Sequence, residues 1–164
     1  MFRGGMAGAR GRAQVIVKVN SRGHEMQGAS QDRDAVISWA RTLYANGVDN
    51  KDADAFAAAF VDDAWLQFAN NEPLVGKRAI RDGIAQFFTL FASLRHEETG
   101  VTWSGGTLVL EANVTYTLHS GGTVTVPACT IYRLTESSGP PLARRCQIYV
   151  DLAPLFGALQ NPAS

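Results

Sequence analysis

The stretch IRDGIAQFFTLFASL, residues 80–94, decides the fold together with LVLEANVTYT, residues 108–117. In the first, Ile80, Ile84, Phe87, Phe88, Phe91 and Leu94 recur at steps of three and four, so all six share one face of a helix about four turns long. In the second the period drops to two. Leu108, Leu110, Ala112, Val114 and Tyr116 oppose Val109, Glu111, Asn113, Thr115 and Thr117, the pattern of a strand with one buried face.

Working back toward the N-terminus, Val36, Ile37, Ala40, Leu43, Tyr44 and Val48 fall at helical spacing between Asp32 and Gly47, with Gly47 placed to end that helix. Asp52 is an acceptable N-cap for a second, short helix with Phe56, Ala59 and Phe60 as its apolar stripe, broken by Asp62-Asp63. A strand from Ala64 to Ala69 closes on the turn sequence Asn70-Asn71-Glu72-Pro73. Toward the C-terminus, Gly121-Gly122 marks a hairpin into a strand from Thr123 to about Leu134. Residues Ser137 to Pro141 form a loop into a last strand, Ala143 to Val150. Three helices followed by a run of strands predict an α+β fold, the helices packed on one face of a strongly curved antiparallel β-sheet.

The chain has 164 residues, enough for one domain, and 46% of them are hydrophobic. Fifteen basic and fifteen acidic residues balance, which gives no electrostatic case for nucleic acid or a membrane surface as partner. The first 30 residues depart from the rest: five basic residues stand there against Glu25 alone. We read residues 1–30 as a disordered or mis-started segment, apart from a possible short strand at Val15 to Val19, and residues 31–160 as the domain. No apolar run approaches the ~18 residues of a membrane span. Cys129 and Cys146 have no metal-type spacing and read as cytoplasmic thiols. Neither a phosphate-binding glycine loop nor a metal-ligand cluster is visible, so neither cofactor nor metal is expected.

FVDDAWLQFANNEPLVGKRAIRDGI (residues 60–84), VTYTLHSGGTVTVP (114–127) and QIYVDLAPL (147–155) resemble the NTF2-like superfamily, in particular its SnoaL-like and ketosteroid-isomerase-like branch. The resemblance covers roughly Asp32 to Leu159 and implies a conical fold with an apolar pocket. That superfamily holds isomerases, dehydratases, cyclases, hydrolases and binding modules, so the activity must be argued from the site.

The ketosteroid-isomerase pattern is incomplete here. Tyr44 matches the family's oxyanion tyrosine, but the position of the proton-abstracting carboxylate falls on Phe68 and that of the second acid on or near Thr130. The relay of limonene-epoxide-hydrolase-like proteins falls on Ile148, Asn113 and Thr115, none of them an acid or a guanidinium. Dehydratases and dehydrochlorinases built on an Asp–His dyad fit better. Asp49 and His96 occupy matching places, with Tyr44 five residues before Asp49. In such a dyad a carboxylate fixes the imidazole tautomer and raises its basicity, while a nearby phenol donates to a carbonyl.

Plainer readings stand beside these. Asp49 lies in a turn-rich tetrad, His96 could be a solvated strand-edge residue, and Tyr44 could be a packed core tyrosine. Asp151 falls on the opposite parity from Cys146, Ile148 and Val150, and capping the segment after it is its expected work. The resulting expectation is a cofactor-independent lyase or isomerase that abstracts a proton from an apolar, carbonyl-bearing small molecule. Tyr44, Asp49 and His96 would be its catalytic residues. Its pocket would be lined by Leu66, Phe68, Phe87, Phe91, Trp103, Val126, Thr130 and Ile148. The alternative is a non-catalytic ligand-binding or dimerisation module. The resemblance also implies a homodimer through an outer sheet face carrying Arg133, Gln147 and Tyr149. Sedimentation at micromolar concentration tests this, a particle of 17.6 kDa counting against it.

Overall fold

Helices and strands alternate between two tasks in this chain, walling a cavity and holding a single curved sheet behind it. The computed structural model describes residues 33–135 and 139–161. Residues 1–30 with their possible strand at Val15 to Val19, the helix start at Asp32, and residues 136–138 of the last loop lie outside the described residues.

Helix α1, residues 33–42, runs on into a π-helical turn, Leu43–Val48, and buries Val36, Ile37, Ala40, Leu43 and Tyr44. Gly47 does not end this helix, as its sequence position suggested; it sits inside the π turn. A β-carbon there would stand 3.0 Å from the backbone nitrogen of Phe56, so the glycine serves close approach of the next helix. That helix, α2 (Ala53–Ala58), opens on Asp52, whose carboxylate accepts the Ala55 amide at 2.9 Å.

Strand β1, Phe60–Phe68, starts earlier than the sequence pattern indicated and includes Asp62 and Asp63. A register irregularity between Phe60 and Trp65 lets both acids face solvent while Phe60, Ala64 and Leu66 stay buried. After the two-residue strand β2 (Leu74–Val75) comes α3, Lys77–Phe88, which buries Ile80, Ile84 and Phe88. It is shorter than its periodicity implied. Phe91 and Leu94 lie past its end yet are buried against the same core, so helical spacing persists where the helix does not.

Leu94 belongs to β3, Ser93–Ser104, a strand the sequence did not announce. Its pattern is weak because β3 is a sheet edge with a mostly exposed outer face and a bulge between Glu98 and Gly100. Gly105 and Gly106, at φ +53° and +76°, turn the chain into β4 (Thr107–Thr117). Strand β5 (Thr123–Leu134) and strand β6 (Ala143–Val150) follow. The sheet order is β2-β1-β6-β5-β4-β3. Every pair is antiparallel except β1–β6, which is parallel, the chain between them supplying the long crossover that a parallel pair needs.

A fourth helix, α4 (Ala153–Gln160), completes the fold, with Asp151 accepting the Ala153 amide at 2.9 Å as its capping group. The class is α+β, as the sequence indicated, with four helices among the described residues in place of three. Phe60, Leu66, Ile80, Phe91, Leu108, Tyr132, Leu134 and Leu155 form the most deeply buried part of the core.

Candidate active site

The π turn decides where Asp49 points. Its backbone nitrogen donates to the Tyr44 carbonyl at 2.8 Å, closing the wide turn and carrying the carboxylate toward edge strand β3. There it meets His96. Asp49 Oδ1 lies 2.7 Å from His96 Nδ1, and both carboxylate oxygens accept the His96 backbone amide, at 3.2 and 3.3 Å. The side chains are 26% and 14% exposed respectively, so the pair is partly sheltered from water. A carboxylate at Nδ1 holds the proton there and leaves the Nε2 lone pair outward. Among the described residues no group hydrogen-bonds Nε2.

Tyr44 completes the cluster without touching Asp49 through its hydroxyl. Its ring meets the His96 imidazole edge-on, centroids 4.7 Å apart at 75°. Its hydroxyl reaches the other way and donates to Thr130 Oγ1 at 3.0 Å, while Tyr132 donates to it at 3.3 Å. Burial pushes the Tyr44 and Tyr132 phenols well above their ordinary range, so both stay protonated donors.

These groups border an apolar cavity, part of it open to solvent. Phe68, Phe87, Thr130 and Ile148 line it, and so do Tyr44 and His96. Four residues expected at the cavity do not line it. Leu66, Phe91 and Val126 are spent on core packing, because the cavity is narrower than the inward face of the sheet. Trp103 sits next to the β3–β4 turn, one residue from the end of its strand, where the cavity does not reach.

The expected pocket lining omitted Tyr116 and Tyr132, both of which border the cavity. Strand parity could have found Tyr132, since it shares the inward face of β5 with Val126 and Thr130. Tyr116 stands against the Phe87 and Phe91 rings, and burial pushes its phenol up to about 12. Outside the imidazole, Arg41 grips Glu98 with two hydrogen bonds of 2.9 and 2.7 Å in a cleft that Tyr44, Asp49 and His96 also line. Those bonds hold the Glu98 carboxyl below its usual range.

Residues 40–138, well over half of the chain, match the family model described as the SnoaL-like domain. The chain belongs to the SnoaL-like domain family. Solved structures agree on the fold of this SnoaL-like domain. A protein from a Jannaschia species proposed to be a SnoaL-like polyketide cyclase is 20% identical, with a TM-score of 0.64 over 82% of this chain and 94% of that one. Aln2 from a Streptomyces species is 23% identical, with a TM-score of 0.64 over 77% and 96%. A protein of ketosteroid isomerase-like fold from Catenulispora acidiphila, in complex with trimethylamine, is 18% identical, with a TM-score of 0.60 over 78% and 93%. The curated proteins include no sequence match to the chain. No helix of this SnoaL-like domain, among the described residues, is long and apolar enough to cross a membrane.

Proposed function

We propose that this SnoaL-like domain is a cofactor-independent enzyme in which His96 removes a proton from carbon next to the carbonyl of an apolar small molecule. The observation that carries this reading is the 2.7 Å contact between Asp49 and His96 Nδ1 at the wall of an apolar cavity, with Nε2 unclaimed by the described residues. The C–H bond breaks toward Nε2 and its electron pair moves into the carbonyl as an enolate. The imidazolium that results is stabilised by the Asp49 carboxylate. The enolate then regains a proton at another carbon, which is isomerisation, or expels a leaving group, which is elimination. A polyketide-cyclase proposal for the Jannaschia protein supports small-molecule carbonyl chemistry on this fold.

Deuterium exchange tests the step without knowledge of the substrate. In D₂O the protein should speed exchange of the α-hydrogens of 2-tetralone, an apolar cyclic ketone. His96→Ala should slow that exchange by about 10²–10⁴-fold with the fold intact, the usual contribution of a positioned base. Binding of 2-tetralone with no exchange in the unaltered protein would establish the non-catalytic ligand-binding module instead.

A further inference from the structure

We infer that the group donating to the carbonyl oxygen of a ligand in this cavity is the Thr130 hydroxyl, positioned by Tyr44 and Tyr132. The inference rests on the carbonyl-ligand reading above and adds a residue role to it. A hydroxyl has one proton to give and two lone pairs to receive with. Tyr132 gives its proton to Tyr44, and Tyr44 gives its own to Thr130. Both phenol protons are therefore spent inside the protein. Thr130 receives one hydrogen bond and retains its proton, and among the described residues no group accepts it.

Three features aim that proton at the cavity. Thr130 is 4% exposed and is the buried polar side chain of the core, so its hydroxyl has little access to bulk water. It lines the cavity on the inward face of β5. The neighbouring Phe68, Ile84, Phe87 and Ile148 side chains carry no acceptor, and the Tyr44, Tyr116, Tyr132 and His96 side chains that share the cavity accept no hydrogen bond from it, so a buried donor remains uncompensated until a ligand oxygen arrives. The direction of the chain adds to this: each phenol polarises the next hydroxyl, making the terminal proton a stronger donor than a lone threonine would supply. Tyr44 spans the distance between donor and base, its hydroxyl on Thr130 and its ring against His96. A ketone carbonyl at Thr130 thus holds its α-carbon toward the imidazole. Tyr116 is the rival donor, since it also lines the cavity.

The infrared carbonyl stretch of bound ¹³C=O 2-tetralone reads this donor directly, whether or not exchange occurs. The stretch should lie below its value in hexane. Thr130→Val should return it toward that value and weaken binding about three- to tenfold, the effect of one neutral hydrogen bond. Thr130→Ser should restore the shift. Tyr44→Phe should give an intermediate stretch, because Thr130 keeps its proton but loses its polarising neighbour. His96→Ala should leave the stretch unchanged, so failure of the base and failure of this donor are separable. A shift that survives Thr130→Val, or that disappears with Tyr116→Phe instead, overturns the inference. So does a protein that takes up no 2-tetralone at all. Should Thr130→Val not fold, the Tyr44→Phe stretch decides: equality with the unaltered protein overturns the inference.

Discussion

At the residue scale, Asp49 does two things at once. One oxygen approaches His96 Nδ1 at 2.7 Å, and both accept the amide of the same residue, so ring and backbone are held together. Asp49→Asn keeps the shape and one acceptor but removes the charge that favours an imidazolium. The rate of 2-tetralone exchange at saturation should fall by about 10²-fold, with the half-saturating concentration changed far less. Equal losses in rate and affinity, or no loss, would show that Asp49 serves packing alone. The imidazole itself contributes little to the core, which is why its replacement tests chemistry rather than folding.

At the scale of elements, the site depends on how closely α1 and α2 approach. The missing side chain of Gly47 leaves room for the Phe56 backbone, whose nitrogen and Cα would lie 3.0 and 3.1 Å from a β-carbon. Neither atom can rotate aside as the end of a side chain could. Gly47→Ala should therefore push the two helices apart and cost about 1–3 kcal/mol, read from the urea midpoint. Asp49 follows two residues later, so exchange activity should drop as well. A midpoint equal to that of the unaltered protein would refute the close-approach account. Edge strand β3 supplies the other half of the dyad, and the Arg41–Glu98 pair ties it back to α1. With Arg41 60% exposed, solvent screens that tie and it contributes little. The β3–β4 pairing and the burial of Leu94 do most of the holding.

At the scale of the whole molecule, three of the four tyrosines, Tyr44, Tyr116 and Tyr132, are buried around the cavity. Burial raises each phenol above its ordinary 10, Tyr116 to about 12. Between those values the folded chain binds more protons than the unfolded one. The contribution of these phenols to stability is therefore fully present below pH 10 and is lost as pH rises toward 12. Tyr116 alone accounts for a loss on the order of 2–3 kcal/mol, and the other two act in the same direction. Urea midpoints should decline from about pH 10 upward. In a Tyr149→Phe background, which removes the exposed phenol, the folded protein should show little phenolate absorbance until the pH approaches 12. Phenolate forming near pH 10 in a protein that stays folded would contradict this burial.

The sequence by itself determined the parts governed by period and local chemistry. The α+β class, the Asp52 cap, the Gly121-Gly122 hairpin, the alternation of β4 and the parity of β6 all follow from neighbours a few residues away. Through resemblance to known families it also brought Tyr44, Asp49 and His96 forward as a set. Only the tertiary structure decided what depends on distant neighbours. It revealed β3, whose one-sided edge position leaves little hydrophobic pattern, and it ended α3 while the same core went on burying Phe91 and Leu94. It separated cavity from core among residues of identical parity, sending Leu66 and Val126 one way and Phe68 and Thr130 the other. Above all it fixed the direction of the Tyr132–Tyr44–Thr130 chain, because which hydroxyl retains a free proton depends on partners 86 and 88 residues away in sequence. No local period encodes that choice.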